Sequence, residues 1–159
     1  MDVFYLLRWL HIIGATVLLG TGAGIAFFML ASHRTGNAQF IAHTASVVVV
    51  ADYLFTASAV VLQPVTGVLL ALQMGWPLGQ GWLLASIGLY LLTGACWLPV
   101  VRMQTRMRDL ARNAAAANQP LPASYQHLFR TWVLLGIPAF LAMLVILWLM
   151  VARPSLVFI

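Results

Sequence analysis

The chain has 159 residues, of which 63% are hydrophobic and 7% are charged, and its mean hydropathy is +0.98. Roughly a quarter of the residues of a water-soluble domain are charged, so this composition excludes one. The net charge of +5 comes from eight Arg against three Asp, and in a membrane protein such an excess sets orientation and does not indicate nucleic-acid binding.

Four apolar segments follow one another along the chain, each long enough to cross a bilayer as a helix. The first begins after Asp2, lacks the basic start of a signal peptide and exceeds its roughly 7–15 apolar residues, so we expect it to remain as a helix. Pro64 predicts a kink in the second, and the third is predicted to continue as a polar helix through Arg112. The predicted spans are about residues 3–31, 40–72, 82–102 and 127–151.

The connections between these segments are short, apart from one longer loop predicted at Ala114–Ser124. Short connections place consecutive helices side by side and antiparallel. The pattern therefore predicts an all-α fold, an integral membrane up-down four-helix bundle, with residues 1–159 forming a single transmembrane domain. The single cysteine, Cys96, excludes an internal disulfide and a cysteine-based metal cage, and is expected to be a buried thiol.

The arginines predict the orientation of the bundle. Two connections that must lie on the same side hold five of the eight: Arg34, Arg102, Arg106, Arg108 and Arg112. Basic residues accumulate on the cytoplasmic side of a membrane protein. We therefore expect this side to be cytoplasmic and both chain termini to lie outside.

Polar residues recur at helical spacing on three spans, which predicts faces that point into the bundle, because lipid cannot satisfy polar groups. Asp52 is the one charged residue between Thr35 and Val101, where a carboxylate is costly unless protonated or paired. If it is paired, Arg102 and Arg130 are the arginines near enough to reach it. Gly20 and Gly24 predict close helix packing. The three faces are Asp52, Thr56, Ala59 and Gln63; Ser86, Tyr90, Thr93 and Trp97; and Arg8, His11, Ala15, Leu18 and Gly22.

His11 is the one histidine well inside a predicted span. A neutral imidazole in a membrane helix can ligate haem iron, and an arginine one turn away, here Arg8, can pair with a propionate. Ala15 and Gly22 leave room beneath the imidazole for a flat macrocycle. Two interpretations stay open: His11 is the axial metal ligand, with a weak or open sixth position near Gln63, or it is an interhelical hydrogen-bond donor that serves packing. A competing site on the other side of the membrane would use His43 and His127.

The segment Leu6-Leu7-Arg8-Trp9-Leu10-His11-Ile12-Ile13-Gly14-Ala15 resembles the first helix of bacterial CopD-like membrane proteins, which include the HemJ-type protoporphyrinogen oxidases. That resemblance implies b-type haem at His11 in a bacterial inner membrane. Further segments resemble a narrower family of four-span integral membrane proteins, a domain-of-unknown-function group. These segments are Ala51-Asp52-Tyr53-Leu54-Phe55-Thr56, Gln63-Pro64-Val65-Thr66-Gly67, Ala95-Cys96-Trp97-Leu98-Pro99-Val100 and Arg106-Met107-Arg108-Asp109-Leu110.

Three classes of function follow. The first is a b-type haem-binding redox protein or membrane oxidoreductase, whose catalytic residues the sequence does not identify. The second is a transport or copper-handling protein, although no paired Met-x-x-Met lines a span. The third is a non-catalytic accessory subunit. The lipid bilayer is the expected environment of all three, with a second copy of the chain or a membrane redox partner as the protein partner and no nucleic acid.

Overall fold

The computed structural model describes residues 2–156. Within that range it contains four long helices: α1 (Val3–Arg34), α2 (Ala38–Gln73), α3 (Gly81–Ala116) and α4 (Ala123–Ala152). Each is long and apolar enough to cross a membrane. The predicted all-α four-helix membrane bundle is confirmed.

Side chains and backbone geometry fix where the helices begin. The carboxylate of Asp2 accepts a hydrogen bond from the backbone N–H of Phe4 (3.2 Å), and Asn37 caps α2 in the same way through Phe40 (3.0 Å). Such caps satisfy N–H groups that have no partner within the helix. Between α1 and α2 the chain turns at Gly36, whose φ of +64° favours glycine.

The connection between α3 and α4 is shorter than predicted. The expected loop at Ala114–Ser124 is confined to residues 117–122, because α3 runs on to Ala116 and α4 begins directly after Pro122. Proline is compatible with a helix start because its missing N–H would have had no partner there. The predicted polar extension of α3 through Arg112 is confirmed.

Helix α2 contains a π-helical turn at Asp52–Thr56, between α-helical stretches Ala38–Ala51 and Ala57–Gln73. The sequence did not predict this turn. Pro64, where a kink was predicted, lies within the regular helical stretch. Its ring leaves the carbonyl of Val60 without the usual i+4 donor. The hydroxyl of Tyr90 on α3 donates to that carbonyl, so a neighbouring helix satisfies the group that proline frees.

The helices pack as α1 against α2, the first part of α2 against α3, α3 against α4, and α4 against α1. We call the end with connections 35–37 and 117–122 the arginine-rich end, and the end with connection 74–80 the opposite end. The larger core cluster includes residues that approach the arginine-rich end and draws on all four helices. Its buried members are Ile25, Met29, Ile41, Ala42, Ala45, Val48, Met107, Ala111, Tyr125, Phe129 and Trp132.

Large apolar side chains cover the outside of the bundle. On three different helices Phe27, Leu91 and Leu134 are 66%, 67% and 69% exposed. Water-soluble proteins rarely expose large contiguous apolar patches, whereas lipid solvates them. Gly20 and Gly24 also have nothing within 4 Å of an added Cβ. The close packing predicted for these two glycines is therefore absent within the described part of the chain.

Candidate functional site

His11 lies at the interface of α1 and α2, in the half of the bundle nearer the opposite end. Its Nδ1 is 2.8 Å from the Oγ1 of Thr66, and its ring packs on the backbone of Gly67, where an added Cβ would lie 3.2 Å from Cε1. One turn along α1, a Cβ on Gly14 would come within 3.3 Å of Gln63. The two glycines therefore let the helices approach closely around a half-buried imidazole.

The hydrogen bonds of Thr66 favour the histidine tautomer that is protonated on Nδ1. The Thr66 hydroxyl donates its single hydrogen to the carbonyl of Leu62 (2.8 Å), with that of Gln63 at 3.3 Å. Its oxygen therefore accepts from Nδ1–H of His11, because a hydroxyl has one proton to donate. This leaves a lone pair on Nε2. Nε2 is not among the fully enclosed unpaired atoms of the described residues.

Two other predicted residues flank His11. Arg8, one turn towards the opposite end of the bundle, is exposed, and no described carboxylate forms an ion pair with it. Gln63 on α2 is 8% exposed, and its Oε1 is enclosed without a hydrogen-bond partner in the described range. A cation and an unpaired amide oxygen thus lie near the imidazole.

The remaining histidines lie elsewhere. His43 and His127 are both exposed, and no hydrogen bond joins them in the described range. His33 stacks on Phe129 with ring centroids 3.7 Å apart. Within residues 2–156 there is no group of three or more His, Cys, Asp or Glu side chains suited to a metal ion. Cys96, expected to be a buried thiol, is half-buried on α3.

Asp52 lies inside the bundle and is 3% exposed. Its Oδ1 accepts from the indole Nε1–H of Trp97 on α3 (3.2 Å). The amide of Gln104, also on α3, lies between Asp52 and the indole of Trp132 on α4. With its oxygen accepting from Trp132 Nε1 (3.2 Å), its nitrogen donates to Asp52 Oδ2 (2.9 Å). We call these four residues the Asp52 network.

The structure corrects the expected partner of Asp52. Arg102 and Arg130 are both exposed, and the one ion pair among the described residues joins Arg108 and Asp109. Neutral N–H donors on α3 reach the carboxylate instead. Long arginine side chains extend towards the polar boundary, because a guanidinium is poorly solvated among apolar helices.

The other predicted interior residues have separate neighbours. Thr56, one turn after Asp52, is buried, and its hydroxyl has no hydrogen-bond partner among the described residues. Tyr90 donates to Val60 as described above, and Thr93 donates to the carbonyl of Leu89 within its own helix (2.9 Å). The structure therefore contains two polar groupings, one around His11 and one around Asp52.

Sequence reasoning missed Thr66, Gln104 and Trp132. Thr66 is three residues beyond Gln63, and Gln104 is seven beyond Trp97. Both therefore continue the polar faces whose predicted last members were Gln63 and Trp97. Trp132 carried no such signal, because an indole on an apolar helix is usually packing.

Comparison with known proteins identifies a family for this chain but no activity, ligand or partner. No curated protein and no solved structure matches the chain, and the resemblance of Leu6–Ala15 to CopD-like proteins stays a prediction. One family model matches residues 5–154, which is nearly the whole chain. With four apolar helices matching its description, the chain belongs to the family described as "Predicted integral membrane protein (DUF2269)".

Proposed function

We propose that this chain is a b-type haem-binding redox protein of the bacterial inner membrane, with Nε2 of His11 as the axial ligand. The observation that carries the proposal is the hydrogen bond from Nδ1–H of His11 to Thr66. Metal-ligating histidines usually donate their second ring N–H in this way, which fixes the tautomer and the ring orientation. In the same tautomer Nε2 carries a lone pair that can bind a metal ion.

The surroundings of His11 fit a flat, anionic macrocycle. On the face of α1 below the imidazole, Ala15 is small and Gly22 has nothing within 4 Å of an added Cβ. Arg8 has no described carboxylate partner and is suited to a propionate. The unpaired oxygen of Gln63 is enclosed between α1 and α2, and a weak or open sixth position near it stays a prediction. Haem bound here would supply one-electron redox chemistry.

The same proposal includes the orientation and the partners. We expect the arginine-rich end to lie in the cytoplasm and both termini to lie outside, because basic residues accumulate on the cytoplasmic side of membrane proteins. A second copy of the chain or a membrane redox partner is the expected protein neighbour. The copper-handling alternative gains no support, since Met29 and Met107 are fully buried in the core.

The test compares histidine variants by their haem content. His11→Ala should abolish or drastically reduce the haem that copurifies with the protein while membrane insertion is retained, because removing a polar side chain makes the span more apolar. Arg8→Ala should weaken retention less, since it removes a propionate contact and leaves the iron ligand.

The matched control is the double variant His43→Ala, His127→Ala, which changes two exposed imidazoles and should leave the absorption spectrum unaltered. The reverse pattern, with His11 dispensable and the other two required, would move the site to the arginine-rich end. A protein without haem in every variant, the wild type included, would favour the accessory-subunit alternative.

A further inference from the structure

The hydrogen-bond directions around Asp52 follow from the chemistry of its neighbours. An indole N–H can only donate, so Trp132 requires the oxygen of Gln104, and the Gln104 amide nitrogen must then face Asp52. Trp97 donates to the other carboxylate oxygen. Both oxygens of Asp52 therefore accept from N–H groups on α3.

This arrangement stabilises negative charge without supplying a counter-ion. On α1, no titratable residue lies between His11 and His33, and on α4 none lies between Arg130 and Arg153. On α3 the nearest such groups along the helix are Tyr90, bonded to Val60, Cys96, and exposed Arg102 and Arg106. On α2 itself, Tyr53 is exposed to lipid. No described cation forms an ion pair with Asp52.

A position for a proton lies beside the carboxylate. The π-helical turn begins at Asp52 and ends at Thr56, and such turns occur frequently at functional sites. The hydroxyl of Thr56 is enclosed and has no hydrogen-bond partner in the described range. It can accept a hydrogen bond from a protonated carboxyl group, which neither Trp97 nor Gln104 in its required orientation can do.

We propose that Asp52 is a proton-binding site inside the bundle, at which the carboxylate takes up one proton from water and the acid formed bonds to Thr56. A metal cation fits less well, because the carboxylate oxygens already face N–H protons from Trp97 and Gln104. The proposal is independent of haem at His11, since it concerns other residues.

Infrared spectroscopy of the full chain in lipid tests this directly, because the chain has three Asp and no Glu. In the double variant Asp2→Asn, Asp109→Asn, the sole side-chain carboxyl group is that of Asp52. Both changed residues are exposed, and asparagine also caps helices well, so the fold should persist. With aspartate labelled with ¹³C in the side-chain carboxyl, acidification should produce a reversible, isotope-shifted carboxylic-acid band.

Variants of the Asp52 network then test the geometry. Asp52→Asn should lose the band. Trp132→Phe should move its midpoint to higher pH, because Gln104 can then rotate and accept from the protonated acid. If the isotope-shifted Asp52 bands do not change with pH, or if the midpoint depends on sodium concentration, the proton site is refuted.

Discussion

The hydrogen bond between His11 and Thr66 provides the sharpest test of the haem proposal, through the variant Thr66→Val. Valine keeps the branched shape but has no acceptor for Nδ1–H, so the imidazole loses its orientation and the basicity that the bond confers. Loss of such a bond typically weakens metal affinity about 10- to 100-fold, or about 1.4–2.8 kcal/mol. A hydrogen bond between membrane helices that serves packing alone averages about 0.6 kcal/mol.

Titration of haem into the haem-free protein, followed by absorbance, measures this difference. Thr93→Val is the matched control, because Thr93 also donates to the carbonyl four residues earlier (2.9 Å) but contacts no histidine. We expect the haem dissociation constant of Thr66→Val to rise about 10- to 100-fold and that of Thr93→Val to stay near wild type. Equal affinities in the two variants would refute the assignment of Nδ1–H to a supporting role.

Two further predictions follow from the packing and the charge distribution. Gly67→Ala should lower haem affinity because its Cβ would lie 3.2 Å from Cε1 of His11, whereas Gly88→Ala on α3, which has open space around it, should leave both folding and haem affinity unchanged. Equal melting temperatures and haem affinities in the two variants would contradict this packing. Reporter fusions at Arg34 and Arg108 should be cytoplasmic and fusions at both termini external, and a cytoplasmic C-terminus would overturn this orientation.

The helices were predictable because membrane insertion acts on average hydropathy over long segments. The predicted spans fall short of the observed helix ends where the helices extend past the apolar zone, as α3 does beyond residue 102. The π-helical turn at Asp52–Thr56 has no signal of its own in composition, because it shifts hydrogen bonds within a helix that remains apolar. Pro64 indicated a kink, but nothing in the sequence indicated that Tyr90 would donate a hydrogen bond to the Val60 carbonyl that the proline leaves without a partner.

The candidate site was predictable in part. Helical spacing predicted that Asp52 and Gln63 lie on a face that points into the bundle, since a polar face has to avoid lipid. Both side chains are buried. It could not identify partners, because the pairing of Asp52 with Trp97 and Gln104 depends on the relative height of two helices. Arg102 and Arg130 were the candidate partners on charge, and the cost of bringing a guanidinium among apolar helices outweighs that attraction.

The most direct measurement of the central claim is the haem stoichiometry of the wild-type chain, purified in mild detergent from cells that are replete in haem. The account predicts a Soret band and one extractable b-type haem per chain, because Nε2 of His11 is the single ligand assigned. A colourless protein that also fails to take up added haem would contradict it.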